Sequence, residues 1–306
     1  MTCAVGIAIQ QDLLTGTDLA AFATAVRDAG LDHVSVGDHV SHRGGQGIDG
    51  LVAAAALLAV RPELQVVVGA FQLALRHPLV AARQLATATS FGPGRLVLAV
   101  GAGGDDRREV ANCGVDPRQR GRRLNESLDV LTRLIRGEVI DHHGAHFDLE
   151  QASIAPAAPV PPLVIAGSGE AAIDRAAAYG SGWLGLLCTA RRYRETRQEI
   201  IRRTAPLGRP APDWFGLNVW CGPEGGLESS LRRWFGPAAP RLRHLCGVGE
   251  GPQIAAWLAD YVSAGATRLS ISVPAADALE AVEQVAELAG LLHERLQADG
   301  IGTPHP

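Results

Sequence analysis

The sequence predicts a (β/α)8 TIM barrel, and three observations lead to this fold class. Short apolar runs typical of buried parallel strands alternate with helical segments along the whole chain. Eight such strands are present, and 306 residues is a length typical of one barrel domain. No GxGxxG motif follows the first strand, which disfavours the main alternative, a doubly wound open sheet. We therefore expect a single domain over residues 1–306.

The predicted strands and helices follow one another in a regular order. Gly30, Gly137, Gly180 and Gly265 each end a predicted helix, as glycine often does, and Pro78 begins one. The eight strands are predicted over residues 4–9, 33–37, 66–71, 95–101, 163–165, 183–187, 215–221 and 269–273. The main helices are predicted over residues 17–29, 47–60, 78–90, 117–136, 170–179, 190–204, 253–263 and 276–296.

Two connections are longer than the others. Residues 139–158 extend the connection after the fourth helix, and we interpret residues 139–149 as a short hairpin with Gly144 at its turn. Residues 222–249, after the seventh strand, are interpreted as a long loop that carries Trp234 and Phe235. Long loops on a barrel usually shape or cover its catalytic face.

Composition excludes several function classes. The net charge of −4 disfavours a nucleic-acid surface, and all 28 basic residues are arginine, which excludes a Schiff-base or P-loop lysine. Five widely spaced cysteines without a CxxC pair favour a reduced, cytoplasmic protein. No apolar run reaches membrane-spanning length and no basic leader is present, so we expect a soluble protein that binds small molecules.

Glycine is concentrated where predicted strands end, which is where a barrel places its reactive groups. Glycine lets the backbone approach a ligand closely, and a helix N-terminus that follows such a turn suits a phosphate. The pattern predicts a flat, phosphate-bearing cofactor, whereas a tight turn without a ligand is the alternative for the last of these ends. The three glycine-rich ends are Gly69-Ala70, Gly101-Ala102-Gly103 and Gly167-Ser168-Gly169.

His39 is the candidate for proton transfer, because histidine is the side chain best suited to that task near neutral pH and His39 follows the second strand. Asp38 precedes it and points the other way if the strand persists, so the two side chains need not touch. The alternative for His39 is a hydrogen-bonded structural histidine at the end of the strand.

One further cluster has the spacing of a metal site, but all its members come from one connection. Metal ligands in barrels usually come from several strand ends, so we expect no metal here. The cluster is Asp141, His142, His143, His146 and Asp148.

Several stretches resemble the bacterial luciferase-like superfamily and, within it, the deazaflavin (coenzyme F420)-dependent oxidoreductases. The resemblance keeps the order of the motifs from the first strand to the last helix, and it implies a (β/α)8 barrel that binds F420 or FMN at its C-terminal face. The stretches are VSVGDHV (34–40), LRHPLVAARQLATATSFGPGRLVLAVGAG (75–103), RRLNESLDVLTRLIRG (122–137), PPLVIAGSG (161–169), RAAAYGSGW (175–183) and AWLADYVSAGATRLSISV (256–273).

The resemblance also implies roles for individual residues. Asp38 would lie near the cofactor ring, and His39 would serve as acid/base or hold the substrate oxygen where the hydride is transferred. Val68 and residues 69–70 match a strand-three bulge that backs the ring and contains a non-proline cis peptide. Residues 101–103 and 167–169 would hold the ribityl chain and the phosphate. Glu126 matches an acid in a long helix, for which we expect a structural role.

Two departures from the sugar-phosphate dehydrogenases of this family are visible. Those enzymes carry a glutamate shortly after the strand-four glycines, where this chain has Gly104, Asp105 and Asp106. They also carry a tryptophan a few residues beyond the histidine, where this chain has Arg43. Glucose 6-phosphate is therefore a poor prediction, and the polar rim formed with His42 is compatible with an anionic or carbonyl-bearing substrate.

F420 is favoured over FMN because of the Asp-His pair and because six arginines are predicted near the barrel mouth, where they could meet the phosphate and glutamates of F420. A solvated basic surface is the alternative for them. We expect an F420-dependent oxidoreductase that forms a homodimer through its second and third helices. An FMN-dependent monooxygenase and a non-catalytic cofactor-binding barrel are the alternatives. The arginines are Arg107, Arg108, Arg118, Arg120, Arg122 and Arg123, and the candidates for a substrate pocket are Trp214, Trp220, Trp234 and Phe235.

Overall fold

Eight parallel strands close into a barrel in the computed structural model, which describes residues 3–104, 106–157 and 159–301. Around the ring the order is β1-β2-β3-β4-β7-β8-β9-β11, and β11 pairs with β1 to close it. The strands of the chain are β1 (Ala4–Ile9), β2 (His33–Val36), β3 (Gln65–Phe71), β4 (Leu96–Val100), β5 (Ile140–His143), β6 (Asp148–Ala152), β7 (Leu163–Ala166), β8 (Gly182–Leu186), β9 (Trp214–Gly222), β10 (Gly247–Val248) and β11 (Arg268–Ser272).

Closure distinguishes this barrel from the open sheet that the alternation of elements left as an alternative. Gly182 of β8 pairs with Trp214 of β9, and Ala4 of β1 pairs with Arg268 of β11, so the ring has no free edge at either junction. A short strand, β10, pairs with β9 outside the ring. The predicted (β/α)8 architecture is confirmed.

Helices follow the barrel strands and cover the outside of the ring. Aspartate side chains at positions 18, 49 and 277 accept hydrogen bonds from the first turns of α2, α3 and α12, which fixes where these helices begin. The helices are α1 (Gln11–Leu14), α2 (Leu19–Asp28), α3 (Gly50–Val60), α4 (Pro78–Ser90), α5 (Arg107–Asn112), α6 (Arg120–Ile135), α7 (Glu170–Tyr179), α8 (Ala190–Thr204), α9 (Glu224–Phe235), α10 (Ala239–Leu242), α11 (Gly251–Ser263) and α12 (Ala278–Ala298).

The predicted start of a helix differs from the observed one where an N-cap residue fixes that start. The helix predicted over 47–60 begins at Gly50 because Asp49 caps it. The hairpin is confirmed as β5 and β6, with Gly144 donating its N–H to the carbonyl of Phe147. The interpretation of residues 222–249 as a loop was wrong: they form α9, α10 and β10. The short helices α1 and α5 were not predicted.

The core has two layers on either side of the barrel wall. The larger cluster lies between the strands and the helices, and a smaller cluster fills the inside of the barrel. Trp214, at the start of β9, belongs to the inner cluster and is 4% exposed. It therefore lies at the N-terminal end of the strand and not in a substrate pocket. Within the described residues, no helix combines the length and apolarity needed to cross a bilayer.

Candidate active site

A cavity of about 610 Å³ opens at the carboxyl ends of the barrel strands. Residues from all eight barrel strands or the turns after them line it, together with the end of α9. It brings together nearly all the residues predicted to form the site. The predicted residues that line it are Asp38, His39, Gly69, Ala70, Gly101, Ala102, Gly103, Gly167, Ser168 and Gly169.

Val68 is the predicted residue that does not line the cavity. It is fully buried in the outer core cluster. A Cβ atom added at Gly50 of α3 would meet its Cγ1 at 2.7 Å, so the side chain faces the helix layer. Since side chains alternate along a strand, Val68 points outwards.

Asp38 fixes the position of the backbone that follows β2. Its buried carboxylate accepts hydrogen bonds from the backbone N–H groups of Gly50 (2.9 Å) and Gln72 (2.8 Å). Both terminal nitrogens of Arg76 also donate to it, at 2.7 and 2.8 Å. The carboxylate is thus occupied by donors of the protein itself, and as predicted it does not contact His39.

Backbone forms one wall of the cavity, from β3 through β4 to the turn after β7. The Gly69–Ala70 peptide bond is cis and lies at a register shift between β3 and β4, as the resemblance implied. A Cβ added at Gly101 would meet the Cβ of Ala70 at 3.4 Å, and one at Gly103, where φ is +89°, would meet Oε1 of Gln72 at 3.0 Å. Side chains on these glycines would fill the space that they border, so this wall suits a flat ligand.

The most informative contact in the cavity joins His39 to Glu109 of α5. Nδ1 of His39 lies 3.0 Å from Oε2 of Glu109, whose side chain is 1% exposed. Oε1 of Glu109 accepts the N–H groups of Val40 (2.7 Å) and Ser41 (3.0 Å). Nδ1 also lies 3.0 Å from the amide Nε2 of Gln72. The contact with the carboxylate is charge-assisted and therefore the stronger one, so it favours a proton on Nδ1 and leaves Nε2 of His39 for a ligand.

The charge on Glu109 is held by these hydrogen bonds. Burial disfavours the charged form, but the bond with His39 and the N–H groups of Ser41 and Val40 outweigh burial and lower the pKa of Glu109 to about 2. The charged carboxylate holds the ring of His39 in place through Nδ1. This arrangement makes Nε2 the atom of the pair that is available for proton transfer with a ligand.

Asp106 positions the short helix that carries Glu109. Its Oδ1 accepts from the N–H groups of Arg108 (3.0 Å) and Glu109 (3.4 Å), which caps α5. Its Oδ2 accepts the N–H of Arg43 at 2.9 Å, which ties α5 to the loop after β2. The sequence showed Asp106 only as a departure from the family; the neighbouring Asp105 lies outside the described residues.

Gln72 lies beside His39, with its Nε2 atom 3.0 Å from Nδ1 of His39. Its Nε2 donates to the carbonyl of Asp38 at 2.7 Å, which fixes the orientation of the amide and directs Oε1 towards Gly103. That Oε1 atom is buried and has no hydrogen-bond partner among the described residues. Buried acceptors without partners are costly, so Oε1 is a candidate to bind a donor on a ligand.

Trp234, at the end of α9, closes the cavity above His39. Its ring stacks on His42 with centroids 5.9 Å apart, and His42 in turn lies 4.4 Å from the ring of His39. Nε1 of Trp234 donates to Gln10 at 2.9 Å, and its carbonyl lies 3.0 Å from Nε2 of His42. A tryptophan of a helix that is distant in sequence thus lies with its ring centroid 6.1 Å from that of His39.

The far end of the cavity has the properties of an anion site. Gly169 begins α7 without a side-chain cap, so N–H groups of the first turn remain available at the positive end of the helix dipole. Arg120 and Arg175 line the cavity here, and Nη1 of Arg120 is buried without a hydrogen-bond partner. Of the six arginines predicted at the mouth, Arg120 alone lines the cavity among the described residues. Arg123 instead donates to the carbonyl of Ala74 at 2.9 Å, and the other four are exposed.

A metal is a poor fit to the described residues. Ligand atoms of His39, His42 and Glu109 lie within 4.8 Å of one another. However, both oxygens of Glu109 already accept hydrogen bonds, and His42 is stacked beneath Trp234. Within the hairpin cluster, His142 lies 3.1 Å from Glu126, and Asp141 accepts the N–H of Gln151. Glu126 therefore ties α6 to the hairpin, which fits its predicted structural role.

Sequence reasoning missed Glu109, Gln72 and Asn218. Glu109 lies five positions beyond Gly104, in a segment interpreted as a loop. Nothing in the local sequence therefore connected it with the glycine-rich end of the strand. Asn218 lines the cavity from β9, donates to the carbonyl of Gly69 at 3.4 Å, and has a buried Oδ1 atom without a partner. A polar residue at the middle of an apolar strand was the available indication for Asn218.

Two sequenced relatives are F420-dependent glucose-6-phosphate dehydrogenases. The one from Beutenbergia cavernae is 31% identical over 192 residues, which cover 60% of this chain and 56% of the relative. The one from Nakamurella multipartita is 33% identical over 176 residues, which cover 55% of this chain and 51% of the relative. The matched part thus spans about half the length of these relatives.

Solved structures share the fold over almost the whole chain. An F420-dependent secondary alcohol dehydrogenase in complex with an F420–acetone adduct has a TM-score of 0.79 at 18% identity and covers 95% of this chain and 99% of its own. The monooxygenase RslO1 from Streptomyces bottropensis has a TM-score of 0.76 at 18% identity, with the same coverage. At this identity the likeness establishes the fold alone.

The family model described as luciferase-like monooxygenase matches residues 4–222, which is the larger part of the chain. The matched region includes β1 to β9 and the glycine wall, His39 and Glu109 that form the cavity. The resemblance noted in the sequence is confirmed, and this chain belongs to the luciferase-like monooxygenase family.

Proposed function

We propose that this protein is an F420-dependent oxidoreductase that transfers a hydride between C5 of the deazaflavin and a small organic substrate. The observation that carries the proposal is the contact between Nδ1 of His39 and Glu109, at the edge of a cavity that His39 lines together with a backbone wall. The two F420-dependent relatives support the choice of cofactor.

The lining of the cavity fits this cofactor. The cis Gly69–Ala70 peptide would back the ring, residues 101–103 would border the ribityl chain, and the turn at 167–169 with Arg120 would bind the phosphate. Oε1 of Gln72 and Oδ1 of Asn218 are the buried acceptors that a ligand could satisfy. When bound, the deazaflavin accepts or gives a hydride and reacts poorly with oxygen, and the protein supplies orientation and proton transfer.

His39 would move the proton that accompanies the hydride. In the oxidising direction, Nε2 takes the proton of the substrate hydroxyl while the hydride leaves the carbon; in reverse, it returns the proton to the carbonyl oxygen. The ionised Glu109 holds the orientation of the ring through its contact with Nδ1.

FMN stays the alternative cofactor, since the same backbone wall could hold a flavin. A non-catalytic barrel is less well supported. Burial of the charged carboxylate of Glu109 beside His39, with its side chain 1% exposed, has a desolvation cost. Such a buried charge beside a histidine is expected where protons are transferred, and it is not needed where a protein only binds a cofactor.

A homodimer is proposed through α3 and α4. Val52 is 67% exposed and Val80 is 53% exposed on these helices, and neither packs in the core. Light scattering of the wild type and of Val52→Glu tests the proposal, with a monomeric variant and a dimeric wild type expected.

The function is tested by anaerobic incubation of the protein with oxidised F420 and alcohols, and with reduced F420 and carbonyl compounds. Absorbance of the oxidised cofactor should change without oxygen, and His39→Ala should slow the change by about 10²- to 10⁴-fold. Turnover that occurs only with reduced FMN and oxygen would assign the protein to the monooxygenases instead.

A further inference from the structure

We infer that the substrate is an uncharged, largely apolar alcohol or the corresponding carbonyl compound, and not a phosphorylated sugar. The inference rests on the proposed function and narrows it. It comes from the part of the cavity opposite the glycine wall, which we call the apolar side. The apolar side consists of Ala8, Ile9, Leu186, Trp220 and Phe235.

Large apolar side chains dominate the apolar side. The rings of Trp220 and Phe235 meet edge to face, with centroids 5.2 Å apart. Leu186, at the end of β8, is 40% exposed although it is a large apolar residue. Burial of a hydrocarbon group against such a surface is favourable, and the surface has no charged group to replace the water around an ion.

Charged side chains in the lining all lie elsewhere. Among the described residues that line the cavity, the cationic groups outside the His39–His42 pair are Arg120 and Arg175, both next to the turn at 167–169. His42 is 3% exposed and covered by Trp234. A phosphate on the apolar side would lose its hydration without meeting a cation, which costs far more than the rest of the sugar could return.

The sequence predicted a polar rim at His42 and Arg43 that is compatible with an anionic or carbonyl-bearing substrate. In the structure both side chains contact other parts of the protein. The ring of His42 stacks on Trp234 and also contacts the ring of His39. The guanidinium of Arg43 lies against Gly236 at the end of α9, where an added Cβ would meet Nη1 at 2.7 Å. Both side chains thus serve the junction between the β2 loop and α9. An anionic substrate is not favoured by this arrangement.

A few polar atoms on or beside the apolar side suit a neutral substrate. Nε1 of Trp220 and Oδ1 of Asn218 are buried without hydrogen-bond partners. One donor and one acceptor can orient a molecule with one or two uncharged polar groups. The substrate oxygen would lie at Nε2 of His39 and the hydrocarbon part against Trp220 and Phe235.

The reaction balances with the proposed cofactor alone. The carbinol C–H bond breaks and its hydride passes to the oxidised deazaflavin, while the O–H proton passes to Nε2 of His39 and a carbon–oxygen double bond forms. The alcohol is oxidised by two electrons, and the deazaflavin is reduced by the same two.

The test compares kcat/KM for straight-chain secondary alcohols, glucose and glucose 6-phosphate with F420, after a fluorescence titration has measured F420 binding. Each added methylene of the alcohol should raise kcat/KM about fourfold, the equivalent of ~0.8 kcal/mol, until the apolar side is filled. Glucose 6-phosphate should react at least 100-fold less efficiently than the best alcohol.

A matched pair of variants places a cation on or away from the apolar side. Leu186→Arg should lower kcat/KM for the best alcohol at least tenfold and leave the Kd of F420 within about threefold of wild type. Leu207→Arg changes a residue that is 53% exposed and outside the cavity lining, and it should alter neither value.

The outcomes separate the inference from the function on which it rests. If F420 does not bind, the proposed function fails. If F420 binds and glucose 6-phosphate is the better substrate, or no uncharged alcohol or carbonyl compound reacts, the inference fails while the cofactor assignment stands. An unchanged alcohol preference in Leu186→Arg would also overturn it.

Discussion

Nδ1 of His39 lies 3.0 Å from Oε2 of Glu109, although the two residues are 70 positions apart in the chain. The contact joins the loop after β2 to a helix of only six residues, α5. It fixes the ring of a histidine that lines the cavity through one nitrogen and leaves the other nitrogen for a ligand.

Glu109→Gln should lower kcat about 10- to 1,000-fold and change KM little. The N–H groups of Val40 and Ser41 would hold the amide oxygen, so the amide N–H₂ would face His39. Nδ1 would then have to accept a hydrogen bond, and Nε2 would carry a proton and could not act as a base. Steady-state kinetics with a fluorescence titration of F420 check this; unchanged kcat would separate Glu109 from proton transfer.

Acid should destabilise the wild type more than Glu109→Gln. The pKa of Glu109 is lowered to about 2, so its contribution to stability is present above its ordinary pKa in the unfolded chain and is lost as the pH falls towards 2. The difference between pH 6 and pH 2 amounts to at most about 3 kcal/mol. Urea unfolding of both proteins at several pH values measures it. Equal pH slopes would show that Glu109 titrates as it does in the unfolded state.

Arg76→Met should lower the free energy of unfolding by about 3–5 kcal/mol, because it leaves the buried carboxylate of Asp38 without its partner. Arg232→Met is the matched control, since it breaks the exposed pair with Glu228 and should cost less than about 1 kcal/mol. Urea titrations of the two variants provide the comparison. Similar losses in both would mean that the Asp38 pair does not anchor β2.

Gly101→Ala should leave the fold intact and weaken F420 binding at least fivefold. The added methyl group would be in ordinary contact with Ala70 at 3.4 Å, and it would project into the space next to the backbone wall. Gly290→Ala, in α12, adds a methyl group with no neighbour within 4 Å and should leave the Kd unchanged. Unaltered F420 binding in Gly101→Ala would move the cofactor away from this wall.

The sequence predicted the backbone part of the site well, because glycine turns after strands are a local property. The ends at 69–70, 101–103 and 167–169 converge simply because parallel strands of a closed barrel end at the same face. Asp38 and His39 could likewise be placed, because they follow β2 closely and the strand ends at the same face.

The side chains that complete the site depend on distant contacts, which local patterns do not contain. Glu109 reaches His39 because Asp106 caps α5 and binds the N–H of Arg43. Trp234 reaches Gln10 across 224 positions, because residues 224–235 form a helix where a loop was predicted. Neither arrangement has a sequence period or motif of its own.

Binding of F420 and FMN to the wild-type protein tests most directly whether the glycine-walled cavity holds a deazaflavin beside His39. Both cofactors would be titrated in the same buffer, with quenching of cofactor fluorescence as the readout. Saturable quenching of F420 at one cofactor per chain, at least tenfold tighter than for FMN and retained in His39→Ala, is the predicted result. Saturable binding of FMN alone, or of neither cofactor, would contradict it.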